Sequence, residues 1–278
     1  MEQQSSRMDF VWRILLFACA STILFPLIWV VYQSLKTNIE FFQDIWALPQ
    51  HWKWSNYSKA WNTYDLGGTM LNTVYYVGAS LVLGTFVLTL NAYALTRIQF
   101  RLRKFIWASL MFSLFLPGIN ALVPTYILVK DLHMLNSLTA LVIMESFGEN
   151  VFFLMLLGGF MSSFPKELEE SAYIDGASLF QTFLRVIVPL STPGIVTVAI
   201  FKFLGLYNNF LGPFIYLSDQ KKYTLAVAIY QANIRLQYNG DWVTLFAGLT
   251  ILMIPSVLLY ILFQRRIMEG STLGAIKG

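Results

Sequence analysis

Six polar or charged residues lie inside stretches of the sequence that are otherwise apolar. The two carboxylates are four positions apart and would therefore share one face of a helix. A carboxylate at the centre of a bilayer costs about 2.5–3.5 kcal/mol on insertion scales, so these side chains should face protein or water. They could hydrogen-bond the hydroxyl groups of a ligand, or neutralise one another between packed helices. The six residues are Glu145, Glu149, Asn150, Lys202, Asn208 and Asn209.

A second polar group lies in the segment PKELEESAYIDGASLFQTFLRVIVPLSTP, residues 165–193. Pro165 suits the first position of a helix, and the glutamates that follow complement the positive end of its dipole. Gly176 in the Asp-Gly pair predicts a sharp turn. Ser178 and Gln181 form a capping-box pattern for a second helix, which Pro189 should end. The segment therefore predicts a helix, a tight turn and a helix.

This segment is longer than a connection between two helices requires, since most connections have fewer than about twelve residues. One interpretation is a solvated loop whose amphipathic pattern is incidental. The other is a structured projection on which a soluble partner docks.

The composition indicates a membrane protein. The chain has 278 residues, of which 56% are hydrophobic and 12% charged, whereas soluble domains average about 25% charged residues. The net charge of +4 is not concentrated in a polar domain, so no nucleic-acid partner is expected. Cys19 is the only cysteine and the histidines, His51 and His133, lack metal-ligand spacing, so we expect neither a disulfide nor a metal site.

Six stretches are long enough to cross a bilayer as helices, which requires about 20 apolar residues. The chain should therefore be an all-α membrane protein with six transmembrane helices, and Pro189, Pro193 and Pro213 should kink the fifth or place its ends outside the membrane. The predicted spans are 11–35, 70–96, 105–129, 137–161, 186–217 and 242–264.

Loop charges predict the orientation. With the N-terminus inside, eleven Lys and Arg residues fall on the inner side and seven on the outer side. Four of the eleven lie between Arg97 and Lys104. Because basic residues favour cytoplasmic loops, both termini should be cytoplasmic, and so should the polar segment.

The run Glu170-Ser-Ala-Tyr-Ile-Asp-Gly-Ala177, followed by Phe183, Ile187, Pro189 and Pro193, resembles the EAA motif of ABC-importer permeases. The surrounding residues are similar to the MalG-like subunits of carbohydrate importers. The C-terminal run Gly274-Ala-Ile-Lys-Gly278 resembles the end of the same proteins. The resemblance covers nearly the whole chain. Ser171 departs from the motif, which usually has alanine at that position.

The resemblance implies the type I ABC importer permease fold, in which residues 163–185 form a cytoplasmic coupling helix-turn-helix and residues 265–278 a cytoplasmic tail. Glu170 would pair with a basic residue of an ATPase subunit, Ala172 would permit close approach, and Gly176 would form the bend. The other motif positions expected in the coupling segment are Ser171, Asp175, Ala177, Phe183 and Pro189. In the tail, Gly274, Lys277 and Gly278 would lie against the ATPase dimer.

The resemblance also implies the function and the partners. The chain would be a non-catalytic permease subunit of an ATP-driven importer of a di- or oligosaccharide in the bacterial inner (plasma) membrane. It has no GxxxxGK[ST] run, so ATP and Mg would be bound by two copies of a partner ATPase and this chain would hold no cofactor. A second, MalF-like permease subunit and an extracytoplasmic solute-binding protein would complete the complex, with the outer loop 218–241 facing the binding protein.

The six polar residues in the spans have two interpretations within this family: they line the sugar path, or Lys202 neutralises a glutamate between packed helices. Outside the family, Glu145 and Glu149 could relay protons in an ion-coupled secondary carrier. An intramembrane enzyme fits less well, because the sequence has no HExxH, no GxSxG and no aspartate within a predicted span.

Overall fold

The computed structural model describes residues 2–116, 121–148 and 151–273, with side chains from residue 12 onward except at 237–239 and 265–273. In these ranges all regular secondary structure is helical. The α-helices are α1 (Glu2–Gln33), α2 (Asn38–Gln43), α3 (Ser55–Thr63), α4 (Leu66–Arg97), α5 (Arg103–Ser113), α6 (Leu122–Asp131), α7 (Leu138–Phe147), α8 (Val151–Ser162), α9 (Glu167–Ile174), α10 (Leu179–Thr182), α11 (Val188–Asn208), α12 (Leu211–Tyr216), α13 (Leu225–Asn239) and α14 (Trp242–Leu273).

Four helical segments of the described chain are long and apolar enough to cross a membrane: Trp12–Gln33, Leu66–Arg97, Leu179–Asn208 and Trp242–Gln264. They correspond to the first, second, fifth and sixth predicted spans. The fourth predicted span is divided into α7 and α8, whose axes differ by 49°, and this pair would be a fifth span if it crosses as one. Residues 149–150 between them lie outside the described ranges.

The third predicted span, 105–129, contains two shorter helices in the described ranges. Helix α5 ends at Ser113 and α6 begins at Leu122, and residues 117–120 between them are outside those ranges. With 11 and 10 residues, each helix alone is too short to cross a membrane. The count of six spans therefore stays a prediction.

The helix in the region of the fifth predicted span, 186–217, has different bounds from that prediction. The helix begins at Leu179 and runs to Asn208, so Pro189 does not end the helix that starts after the Asp-Gly turn. The π-helical turn Phe183–Ile187 explains the continuity, because the Val188 N–H bonds the carbonyl of Phe183, five residues earlier. This wider turn accommodates Pro189, which has no N–H and whose ring crowds the carbonyl four residues before it.

The segment 218–241 was predicted as an outer loop, but most of it is helical. A 3-10 turn at Gln220–Lys222 precedes α13. The side chains of Tyr230, Asn233 and Arg235 are exposed.

The chain divides into two compact units, each with its own core. One comprises Met1–Gly67 with Ala228–Pro255, and the other Gly68–Val227 with Ser256–Gly278. In the first, the ring of Trp29 packs edge-on against Phe246, with centroids 5.3 Å apart. The core of the second is formed by residues from α4, α8, the π turn and α11, among them Leu88, Leu154, Leu157, Phe183 and Val198.

Candidate functional sites

A polar cluster surrounds the carboxylate of Glu145 on α7. The Glu145 Oε1 atom accepts hydrogen bonds from the Tyr76 hydroxyl at 3.1 Å and from the Asn209 side-chain amide at 2.8 Å. The same Asn209 nitrogen lies 3.2 Å from the Tyr76 hydroxyl. Tyr76 is on α4 and is 1% exposed. Three distant parts of the chain therefore meet at one carboxylate.

The end of α11 explains why one of two adjacent asparagines reaches this cluster. Asn209 caps α11 with an extended ψ of 104°, and its Oδ1 accepts the Gly212 N–H at 3.2 Å. Asn208 is still helical and exposed, and its amide bonds the carbonyl of Leu204 on its own helix at 2.9 Å. The structure thus brings Asn209, but not Asn208, to Glu145.

Lys202 is buried at 8% exposure and interacts electrostatically with Glu145. Its ammonium lies against Gly84 of α4, where it would meet any Cβ atom. A Cβ at residue 84 would also stand 3.2 Å from the Cα of Ser146. Gly84 therefore permits both the close approach of α4 to α7 and the position of the lysine.

Glu145 and Lys202 line a cleft of about 480 Å³ that also contains Phe153 and Phe201. The combination of charged groups and aromatic rings is a typical lining for a polar ligand with apolar faces. Of the six polar residues singled out in the sequence, the structure brings Glu145, Lys202 and Asn209 together. Glu149 and Asn150 lie outside the described residues.

The segment 163–185 contains the two helices and the turn expected there. Gly176 has a φ of 81°, a conformation that favours glycine. The predicted capping box is confirmed, because the Ser178 Oγ accepts the Gln181 N–H and the Gln181 side chain accepts the Ser178 N–H at 2.8 Å. Helix α9 begins two residues later than predicted, at Glu167 rather than Pro165. Lys166 has helical dihedrals and occupies the N-cap position.

The EAA-like residues differ in exposure. Ala172 and Ala177 are half-buried. The exposed residues of the motif are Glu170, Ser171, Asp175, Gly176 and Pro189. Phe183 is 1% exposed and packs on Tyr93, with ring centroids 5.2 Å apart. Phe183 therefore belongs to the core and presents no surface to a partner. Gly274, Lys277 and Gly278 of the predicted tail lie outside the described residues.

Apolar side chains surround the turn at Gly176. Ile174 is 86% exposed, and Leu179 and Phe180 are about half exposed, at 48% and 54%. Glu170, one helical turn before Ile174, and Asp175, next to Gly176, are also exposed. The surface combines apolar area with negative charge, as surfaces that bind proteins often do.

Arg97 and Glu169 form an ion pair that sequence reasoning did not identify. The Arg97 Nε donates to Glu169 Oε1 at 2.9 Å, and its Nη atoms donate to the carbonyls of Phe164 at 2.8 Å and Pro165 at 3.3 Å. The two side chains are 4% and 11% exposed. The sequence analysis treated Arg97 as a basic residue of a loop and Glu169 as an acidic residue in the first turn of a helix. Their spacing in the sequence gives no sign that the end of α4 contacts α9.

The family model for binding-protein-dependent transport system inner membrane components matches residues 9–269. The chain belongs to this family. Permeases of this kind are non-catalytic, multi-pass inner-membrane components of ABC transporters, and they work with an ATPase, another permease subunit and a binding protein.

Several relatives are similar over nearly the full length of the permease. It is 32% identical to the diacetylchitobiose uptake system permease protein NgcG of Streptomyces coelicolor, over 95% of this chain and 87% of the relative. It is 30% identical to the melibiose/raffinose/stachyose import permease protein MelC of Bacillus subtilis, over 94% and 93%.

The fold of the permease is that of solved ABC importers. It matches a chain in the crystal structure of a bacterial ABC transporter involved in the import of the acidic polysaccharide alginate, with a TM-score of 0.83. The match covers 94% of this chain and 97% of the other, at 21% identity. At that identity the likeness shows the fold alone.

Proposed function

We propose that this chain is a permease subunit of an ATP-driven, binding-protein-dependent importer of a di- or oligosaccharide, and that it forms half of the translocation pathway. The relatives named above take up or import such sugars, at 30–32% identity over more than nine-tenths of this chain. The partners are a second, MalF-like permease, two copies of a cytoplasmic ATPase that bind ATP and Mg, and an extracytoplasmic solute-binding protein.

The exposed turn at Gly176 carries the coupling part of the proposal. Because α9 and α10 present both acidic and apolar side chains around one bend, a cleft of the ATPase could bind the projection. Glu170 supplies the negative charge, and the half-buried Ala172 leaves room for close contact. Closure of the ATPase dimer on ATP would then move two docked permease segments and switch the spans between two states.

The orientation follows from the loop charges. Docking on a cytoplasmic ATPase requires the segment 163–185 to be cytoplasmic, which agrees with the orientation predicted from the positive-inside rule. Both termini are cytoplasmic in this arrangement, and the tail at 265–278 contacts the ATPase pair through Gly274, Lys277 and Gly278.

The cleft beside Glu145 is the proposed sugar path. Glu145, Lys202 and Asn209 offer carboxylate, ammonium and amide groups to hydroxyl groups, and Phe201 offers an apolar face. Glu149, Asn150 and Asn208 remain part of the proposal from sequence. The competing interpretation, a purely structural pair of Lys202 and Glu145, accounts for their electrostatic interaction without any contact to sugar.

Two substitutions at the turn test the docking assignment. Gly176→Val places a β-branched residue at a positive φ, and Glu170→Lys reverses the charge of an exposed side chain. We expect both variants to insert in the membrane but to lose co-purification of the ATPase and sugar uptake. Lys166→Gln, which changes an exposed residue before α9, is the control. Wild-type uptake and ATPase recovery with either test variant would refute the assignment.

A further inference from the structure

We propose that Arg97 is a positioning residue that makes α9 move as one body with α4, so that force on the docking turn passes to the second span rather than to the fifth. This inference rests on the proposed docking of the turn. The main support is that the guanidinium of Arg97 donates hydrogen bonds to the Glu169 carboxylate and to the carbonyls of Phe164 and Pro165. These contacts fix both the approach to α9 and its first turn.

The geometry makes this attachment stiff. The planar guanidinium donates in several fixed directions at once, so α9 cannot rotate about a single bond. Both side chains of the ion pair are almost completely buried, at 4% and 11% exposure. Water therefore cannot readily replace either partner, and separation would leave a buried charge unpaired.

The end of α4 is itself held in place. The carbonyls of its last turn lack helical partners. That of Leu95 accepts the Trp107 indole N–H at 3.0 Å, and that of Thr96 accepts an Arg103 N–H at 3.0 Å. One turn earlier, Tyr93 interacts with Tyr173 near the end of α9. Contacts at both ends of α9 therefore lead to α4.

The connection from the turn to α11 contains features that favour bending. Helix α10 has four residues and continues into the π turn Phe183–Ile187, followed by Pro189. The proline removes one backbone hydrogen bond from this stretch, and π turns within helices are frequent at functional sites. We therefore expect bending between the turn and α11 to be easier than separation of α9 from α4.

The test uses the full transporter, purified through a tag on this chain after co-expression with its partners. Spin labels replace Val82 on α4 and Leu168 on α9, both exposed, in a Cys19→Ser background. Distances are measured without nucleotide and with ATP, Mg and vanadate. The same complexes are then placed in liposomes, and uptake of radiolabelled diacetylchitobiose and of melibiose is measured together with ATP hydrolysis. The ratio of sugar imported to ATP hydrolysed is compared between variants. The variants are Arg97→Gln, Glu169→Gln, the double variant and the reversed pair Arg97→Glu/Glu169→Arg.

We expect the wild-type distance between the labels to stay constant on nucleotide binding, and to shift or broaden in Arg97→Gln and in the double variant. Sugar imported per ATP hydrolysed should fall roughly twofold to thirtyfold in both, the range seen for residues that couple distant sites. The reversed pair should recover part of this ratio. The ATPase should co-purify with every variant. Arg101→Gln, which changes an exposed residue nearby, should behave as wild type.

Two results would overturn the inference. One is an unchanged distance and an unchanged import ratio in both Arg97→Gln and the double variant, with the ATPase and uptake intact. That result would leave the proposed function standing. The other is a wild-type complex that retains no ATPase, which removes the proposed function and this inference together.

Discussion

Asn209 donates a hydrogen bond of 2.8 Å to Glu145, 64 residues earlier in the chain, whereas its neighbour Asn208 bonds the carbonyl of Leu204 on its own helix. The two asparagines therefore form a matched pair for testing the sugar path. Asn209→Ala removes a partner of a largely enclosed carboxylate, which costs about 1–3 kcal/mol. We expect uptake to fall about tenfold or more in Asn209→Ala and by less in Asn208→Ala, at equal amounts of permease in the membrane.

Substitutions of Glu145 and Lys202 distinguish the two interpretations of Lys202, a sugar contact or a structural ion pair. If Glu145 and Lys202 contact sugar, Glu145→Gln and the double variant Glu145→Gln/Lys202→Gln should both lose uptake while the complex remains intact. If the pair is structural, the double variant should recover the stability and uptake that the single variant loses. Thermal unfolding and uptake measured on the same preparations distinguish these results.

Gly84→Ala should destabilise the permease, because the new methyl group meets the ammonium of Lys202 and lies 3.2 Å from the Cα of Ser146. Overpacking of this kind costs about 1–3 kcal/mol. Gly78 is the control, since it is on the same helix and a Cβ there meets nothing within 4 Å. Gly78→Ala should be neutral or stabilising by up to about 1 kcal/mol. Equal melting temperatures for the two variants would contradict the packing described for α4.

Asp241 should make the stability of the compact unit that contains it, Met1–Gly67 with Ala228–Pro255, depend on pH. Burial raises the pKa of this carboxyl, but hydrogen bonds from Lys59, Asn38 and Thr244, together with the charge of Lys59, outweigh burial and lower the pKa below its usual 3.8. The nearest contact is 2.6 Å, from the Lys59 ammonium. The lowered pKa in the folded state means that the stabilisation is complete above pH 3.8 and is lost as the pH falls through the folded value.

We therefore expect Asp241→Asn to lower stability at pH 7 by about 1–2 kcal/mol, since Lys59 is largely exposed and its contribution is screened. The difference from wild type should shrink below a pH of about 4. Tryptophan fluorescence during thermal unfolding in detergent measures both effects. Asp131→Asn, at an exposed aspartate, is the control. A difference that grows on acidification would mean that the assigned hydrogen bonds do not favour the ionised form.

The capping box at Ser178 should hold the start of α10 in place. Ser178→Ala removes the acceptor of the Gln181 N–H, and loss of such a cap costs about 1 kcal/mol. We expect faster hydrogen exchange at the amides of residues 179–182 in this variant, and near-normal exchange in Ser178→Asp, which keeps an acceptor. Exchange in Ser178→Ala as slow as in wild type would show that packing alone maintains the turn.

The local elements were the most predictable part of the structure. Ser178, Gln181 and Gly176 act through neighbours in the sequence, so their types alone indicate the cap and the turn. Pro189 misled because a proline often ends a helix, and only the observed π turn shows how the helix continues past it. The third span stays a prediction, because the residues between α5 and α6 lie outside the described ranges.

The tertiary partners of Tyr76 and Arg97 were not predictable from the sequence. Tyr76 is an aromatic residue in an apolar span, and its contact with Glu145 depends on helices 69 residues apart in sequence. The ion pair of Arg97 with Glu169 joins residues separated by 72 positions. From the sequence alone, Tyr76 is explained as a packing residue and Arg97 as a loop charge. Only the three-dimensional arrangement of the helices shows their partners.

The energy source of transport tests the central claim most directly. The complex purified through this chain is placed in liposomes with its binding protein outside, and accumulation of radiolabelled diacetylchitobiose and of melibiose is followed. We predict accumulation of at least one of these sugars with ATP and Mg available to the ATPase, unaffected by a protonophore, and none without ATP. Accumulation that needs no ATP and collapses with the protonophore would contradict the account and indicate an ion-coupled carrier acting through Glu145.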